Sequence, residues 1–218
     1  MYQKMRLPRR LSTALLACIL LTGAGVCGCS HTAVLPLGAN NNTRQTSNPV
    51  SSRWAEPLTC PGLPNLHKVS DDLYRGAQPT AEGIKQLQAI GIKTVINLRS
   101  SDTDRDILDA AGPAGEHIPM VAWHAGDDDV VRFLQIVTDE DRLPAFVHCR
   151  RGADRTGLMV AAYRIVVQGW DKEQALAEMT QGGFRFYSGW QNLVRYIEDL
   201  DVDAIRQRAG IVEPAVTR

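Results

Sequence analysis

Pro144-Ala145-Phe146-Val147-His148-Cys149-Arg150-Arg151-Gly152-Ala153-Asp154-Arg155-Thr156-Gly157 is the stretch that decides the fold. It opens as an apolar run of strand length that stops abruptly at Cys149, and Thr156 to Gln168 follows as an apolar helix ended by Gly169. The order strand, glycine-containing loop, helix puts the loop where unpaired backbone N–H groups and the helix dipole favour an anion. The same field favours a thiolate: a free cysteine titrates near ~8.5, and at a helix N-terminus beside an arginine it falls by several units. Arg155 offers a planar fork that binds two oxygens of one oxyanion and stays charged, which lysine cannot reproduce. Gly152 supplies the positive φ or close approach that such a loop demands, and the Thr156 hydroxyl can donate to the Cys149 sulfur.

His148-Cys149, five further residues, then Arg155-Thr156 resembles the signature loop of the protein tyrosine phosphatase superfamily. Tyr74-Arg-Gly-Ala-Gln-Pro79, Thr94-Val-Ile-Asn-Leu-Arg99 and Ala161-Ala-Tyr-Arg164 resemble the bacterial and plant-fungal atypical dual-specificity group, so the likeness spans about residues 63 to 200. The resemblance implies a metal-free phosphatase in which Cys149 attacks phosphorus and Arg155 holds the phosphate. Arg150, Arg151, Gly152, Ala153, Asp154 and Thr156 then line the substrate, and His148 orients the loop. It also implies an aspartate on a separate upstream loop as general acid. Asp127-Asp128-Asp129 stands at the matching distance, with Asp127 the first choice, although such a run also suits the start of the helix that follows. Asp154 is a second candidate, because phosphatases resembling myotubularins carry an aspartate directly before the arginine. The Arg150-Arg151 pair departs from the lysine-containing loop of many relatives. It favours a substrate with more than one phosphate, such as an inositol phosphate, unless both side chains merely face solvent. Phosphotyrosine or dual-specificity protein substrates are the main expectation, and an inactive phosphate-binding module is the rival from another class.

Around this loop the chain reads as one α/β domain, residues 58–210, with a central, largely parallel mixed sheet flanked by helices. Leu63 to Ser70 and Leu73 to Gly76 form an opening hairpin across Asp71-Asp72. Pro79 to Ile90 is a helix with Thr80 as cap and Gly91 as stop. Lys93–Leu98 is a β-branched strand leading into a polar loop that reaches Asp104. His117 to Trp123 is expected as a strand, Val130 to Val137 as a helix, and Asp171 as the cap of another. One amphipathic helix is expected from Gly189 to Arg208.

The N-terminus places Lys4, Arg6, Arg9 and Arg10 before an apolar run from Leu11 to Val26, the form of an export signal. Val26-Cys27-Gly28-Cys29 resembles a bacterial lipobox, which implies cleavage after residue 28 and lipid on Cys29. Residues 29–57, rich in Asn, Ser, Thr and Pro, read as a flexible tether, and 211–218 as a tail. An exported, membrane-anchored lipoprotein is therefore expected, with soluble secretion as the alternative. With Cys18 and Cys27 in that leader and Cys29 carrying lipid, Cys60 and Cys149 remain, either as free thiols or as a reversible disulfide.

Lys plus Arg and Asp plus Glu each total 24, so no basic stripe marks a nucleic-acid partner. There is no Cys-x-x-Cys, and His31, His67, His117, His124 and His148 lack zinc-ligand spacing. No metal or cofactor is expected, because arginine and backbone amides suffice for the electrostatics.

Overall fold

The computed structural model describes residues 54–101, 104–108 and 112–212. The apolar run from Leu11, the lipobox and residues 213–218 of the C-terminal tail lie outside them. None of the helices among the described residues is long and apolar enough to cross a membrane.

Six strands form one sheet in the order β1-β2-β3-β6-β4-β5. Strands β1 (Glu56–Pro57), β2 (His67–Lys68) and β3 (Leu73–Gly76) pair antiparallel, whereas β3, β6 (Ala145–His148), β4 (Thr94–Asn97) and β5 (Ala114–His117) pair parallel. The helices are α1 (Ala81–Ala89), α2 (Asp127–Val137), α3 (Asp154–Val166), α4 (Lys172–Gln181), α5 (Gln191–Asp199) and α6 (Val202–Ala209). This is the expected α/β domain with a mixed, largely parallel sheet.

Alternation along the central strands sorts side chains to two cores. Val95 and Phe146 join Leu63, Leu66, Ile84 and Leu87 on the α1 face. Leu73, Ile96, Ala145 and Val147 point the other way, toward α3. Helix α3 is buried on every side, and only Arg155 among its thirteen residues is partly exposed. Such an all-round apolar helix belongs at the centre of a layer, and α2, α4, α5 and α6 surround it.

Several elements fall where the sequence places them. Thr80 caps α1, its hydroxyl accepting from Gly83 N, and Gly91 follows at φ +86°. The Asp71-Asp72 turn joins β2 to β3, but β2 is only two residues long. Asp171 stands at the N-cap of α4 in extended backbone, without a side-chain cap bond. Three expectations are corrected. The strand after residue 112 is Ala114–His117, earlier than His117–Trp123: backbone pairing with β4 forms it, while Ile118 and Met120 reach the core from a loop. Helix α3 starts two residues before Thr156, at Asp154. The amphipathic run from Gly189 to Arg208 is two helices, broken at Leu200 because Asp201 accepts from Ala204 N and caps a new one. The chain is also tied down before residue 58, since β1 pairs with β2 and Ala55 N donates to the buried Glu178 carboxylate at 2.6 Å.

Candidate active site

Parallel strands bring their carboxyl ends to one edge, and in open α/β sheets this edge collects ligands. β3 ends into Gln78, β4 into Arg99 and β6 into Cys149. Leu98 N donates to His148 O at 2.8 Å, locking the β4 and β6 ends together.

The loop from Cys149 to Ala153 turns on Gly152, whose φ is +67°. A Cβ there would sit 2.3 Å from the Gly76 carbonyl and 2.6 Å from Ala77 N. Glycine is therefore required twice, by conformation and by the close approach of β3. Asp154, Arg155 and Thr156 fill the first turn of α3, with Ala153 as N-cap.

Cys149 is 2% exposed at the floor of a cleft of about 600 Å³ lined by Ala122, Arg150, Arg151, Asp154, Arg155 and Trp190. Burial pushes its thiol up, but the Thr156 hydroxyl and N–H, the Arg155 charge and the Arg151 N–H outweigh burial and hold it below the ordinary value. Thr156 Oγ1 is buried and has no other hydrogen-bond partner among the described residues. Arg155 Nη1 donates to Leu98 O and Met120 O, both at 3.1 Å, which aims the guanidinium from β4 and the loop after β5.

The structure thus brings Cys149, Arg155 and Thr156 together, with Arg150 and Arg151 on the rim. Both rim arginines are exposed, and Arg151 is held by Asp154 at 2.8 Å. The other Asp154 oxygen accepts from Tyr187 N at 2.9 Å, so this carboxylate ties the loop to the α4–α5 connection with both oxygens engaged. The aspartate run is not brought to the cleft. Asp127, Asp128 and Asp129 form the first turn of α2, and Gly126 occupies the N-cap. Asp127 accepts from Tyr196 Oη at 2.8 Å and from Arg208 at 3.2 Å, and Asp128 pairs with Arg208. Burial and the neighbouring Asp128 raise the Asp129 carboxyl above its usual range, partly opposed by His124. Cys60 is a free thiol against Gln86, and Cys149 is free as well.

One functional residue is absent from the sequence reading. Asp104, 2% exposed, accepts from His148 Nε2 at 2.6 Å and from Gln78 Nε2 at 2.5 Å, while Arg99 Nη1 donates to Gln78 Oε1. Burial alone would raise its carboxyl, but the bonds from His148 and Gln78 and the charge of Arg99 hold it below the usual carboxylate range. An ionised Asp104 puts a proton on His148 Nε2 and fixes the ring that precedes Cys149. No spacing rule announces this contact, which folding creates between residues 44 apart. Of the two histidines flanking the expected strand, His117 bonds Arg99 O at 2.8 Å, and His124 is exposed.

A buried cysteine at a helix N-terminus, its thiol held below the ordinary value, with a guanidinium aimed across the same cleft, defines the cysteine-dependent phosphatase class. The chain belongs to the DSP-PTPase phosphatases, since residues 64–191 match the family model described as DSP-PTPase phosphatase fused to NAD+ kinase. It is 38% identical over 171 residues to the dual specificity protein phosphatase TpbA of Pseudomonas aeruginosa, covering 78% of this chain and 77% of that one. It is 29% identical over 155 residues to inositol diphosphatase DSP5 of Arabidopsis thaliana, covering 66% and 73%. Among solved structures, P. aeruginosa TpbA in complex with pTyr superposes with TM-score 0.65 at 36% identity, covering 76% of this chain and 99% of that one.

Proposed function

We propose that this protein is a phosphoric monoester hydrolase that works through a phosphocysteine on Cys149, with phosphotyrosine-containing and other phosphorylated proteins as substrates. The observation that carries this reading is the Cys149 side chain, its thiol held below the ordinary value, and the Arg155 guanidinium sharing one cleft. Arg155 and the loop N–H groups hold three phosphate oxygens, and Cys149 Sγ attacks phosphorus. The P–S bond forms as the ester P–O bond breaks, and the departing oxygen takes a proton from a carboxylic acid. Water then attacks phosphorus, the P–S bond breaks, and inorganic phosphate leaves with the thiolate restored; the Thr156 hydroxyl stabilises that leaving sulfur.

We assign the proton donor to Asp127. Its contacts with Tyr196 and Arg208 are exposed and worth little, so α2's first turn can exchange them for substrate. Asp129 competes for the role, because its carboxyl is the one held above the usual range. The TpbA complex with pTyr supports an aryl phosphate in the cleft. The paired Arg150 and Arg151 on the rim, with the likeness to an inositol diphosphatase, favour inositol phosphates as the second substrate class.

Hydrolysis of an aryl phosphate by the full chain, without metal and with reductant, tests the reading. Wild type turns over, Cys149→Ser and Arg155→Ala do not, and Asp127→Asn loses the basic limb of its pH profile. If Asp129→Asn loses that limb instead, the acid is Asp129. A wild type inert on aryl and inositol phosphates that still binds phosphate through Arg155 marks a binding module. Export with lipid on Cys29 is proposed from the N-terminal sequence, and the mass of the mature N-terminal peptide in wild type and Cys29→Ser decides it.

A further inference from the structure

Arg75 lies on β3 beneath the phosphate loop and is completely buried. Its Nη2 donates to Gly152 O at 2.8 Å and lies 3.5 Å from Ala153 O. In a trans peptide the carbonyl and the next N–H point in opposite directions. A carbonyl pulled down toward Arg75 therefore turns the N–H of the following residue up toward the cleft, at Ala153 and again at Asp154. Ala153 O also receives Gly157 N at 2.8 Å, so the hold on the loop continues into the first turn of α3.

The charge of Arg75 lacks a carboxylate of its own. Glu178 is the main group that stabilises this charge, but both its oxygens are taken by Arg164 at 2.7 Å, and one also accepts from Ala55 N. Arg75 Nε and Nη1 have no hydrogen-bond partner among the described residues, and the guanidinium stacks 3.7 Å over the Phe184 ring. Burial pushes the guanidinium down to about 10, while Glu178 and Cys149 stabilise its charge. It stays charged at neutral pH, and the attraction to Cys149 is mutual.

We propose that Arg75 is a positioning residue of the phosphate loop, aiming the Ala153 and Asp154 N–H groups into the cleft and placing a permanent positive charge beneath Cys149. Its importance to catalysis rests on the phosphatase reading, but its effects on the thiol and on oxyanion binding do not. In the full chain, the rate of iodoacetamide capture at Cys149, read by mass spectrometry to separate it from Cys60, is followed against pH in wild type, Arg75→Lys and Arg75→Met. Tungstate affinity is measured in parallel. Arg75→Met raises the capture midpoint by about one pH unit and weakens tungstate. Arg75→Lys keeps the midpoint but weakens tungstate about tenfold, because an ammonium cannot stack on Phe184 as the planar guanidinium does and so holds the two carbonyls less firmly. A folded Arg75→Met with the wild-type midpoint and tungstate affinity overturns the proposal. Should neither variant fold, the Arg75 Nε–H resonance of the wild type decides: it moves with the Cys149 midpoint, and a resonance that stays still overturns the coupling. A wild type inert on both aryl and inositol phosphates with these shifts intact would sink the phosphatase reading alone.

Discussion

At Cys149 two opposing effects meet, burial that disfavours the thiolate and stabilising contacts from Thr156, Arg155 and Arg151 that win. A depressed thiol pKa has a definite sign: the thiolate is present above the lowered value and is lost as pH falls through it. kcat/KM for an aryl phosphate therefore declines on the acid side with the same midpoint as Cys149 alkylation. Thr156→Val removes a hydroxyl that faces the sulfur, and should move both midpoints upward together; a shift in only one would separate the nucleophile from the titrating group. Asp104 acts one residue further out. Asp104→Asn keeps the shape but loses the charge that fixes His148, and a fall of about tenfold in kcat with tungstate binding retained is the expected result. An unchanged kcat would leave Asp104 as a folding residue only.

At the scale of elements, the phosphate loop is pressed onto the β3–α1 connection by the Gly152–Gly76 contact. Gly152→Ala meets both a positive φ and backbone atoms at 2.3 Å. Loss of tungstate binding and destabilisation of about 2 kcal/mol or more are expected in urea unfolding of that variant. What the sequence showed of these elements depended on how locally each is specified. α1 carries its own cap in Thr80 and stop in Gly91, and β6 its apolar run, so both were readable. Cys149, Arg155 and Thr156 share one turn of chain, and their convergence follows from spacing. β5 is Ala-Gly-Glu-His, half of it exposed, and nothing but pairing with β4 marks it as strand. Asp104 and Arg75 reach the site from other strand ends, and their side chains meet the loop only through the parallel register of β3, β6 and β4. Likewise the aspartate run reads equally as acid loop or helix start, and Gly126 as N-cap resolves only the second.

Across the whole molecule, the Arg164–Glu178 pair joins α3 to α4 and, through Ala55 N, fastens the segment before β1. Both side chains are nearly inaccessible, at 3% and 2%. Removing one partner strands a buried charge, so Glu178→Ala should cost about 3 kcal/mol or more and visibly lower Tm; a Tm within a degree of wild type would contradict a buried, paired role. The parallel strands that focus chemistry on one edge also separate two cores of unequal duty. The α3 face carries Leu73, Ile96 and Val147 beside Arg75 and Cys149, whereas the α1 face holds Leu63, Ile84 and Leu87. The sheet is thus a partition wall. In a library of core variants, substitutions behind the wall should accumulate with stability as their chief constraint, while those in front of it should be purged for turnover first.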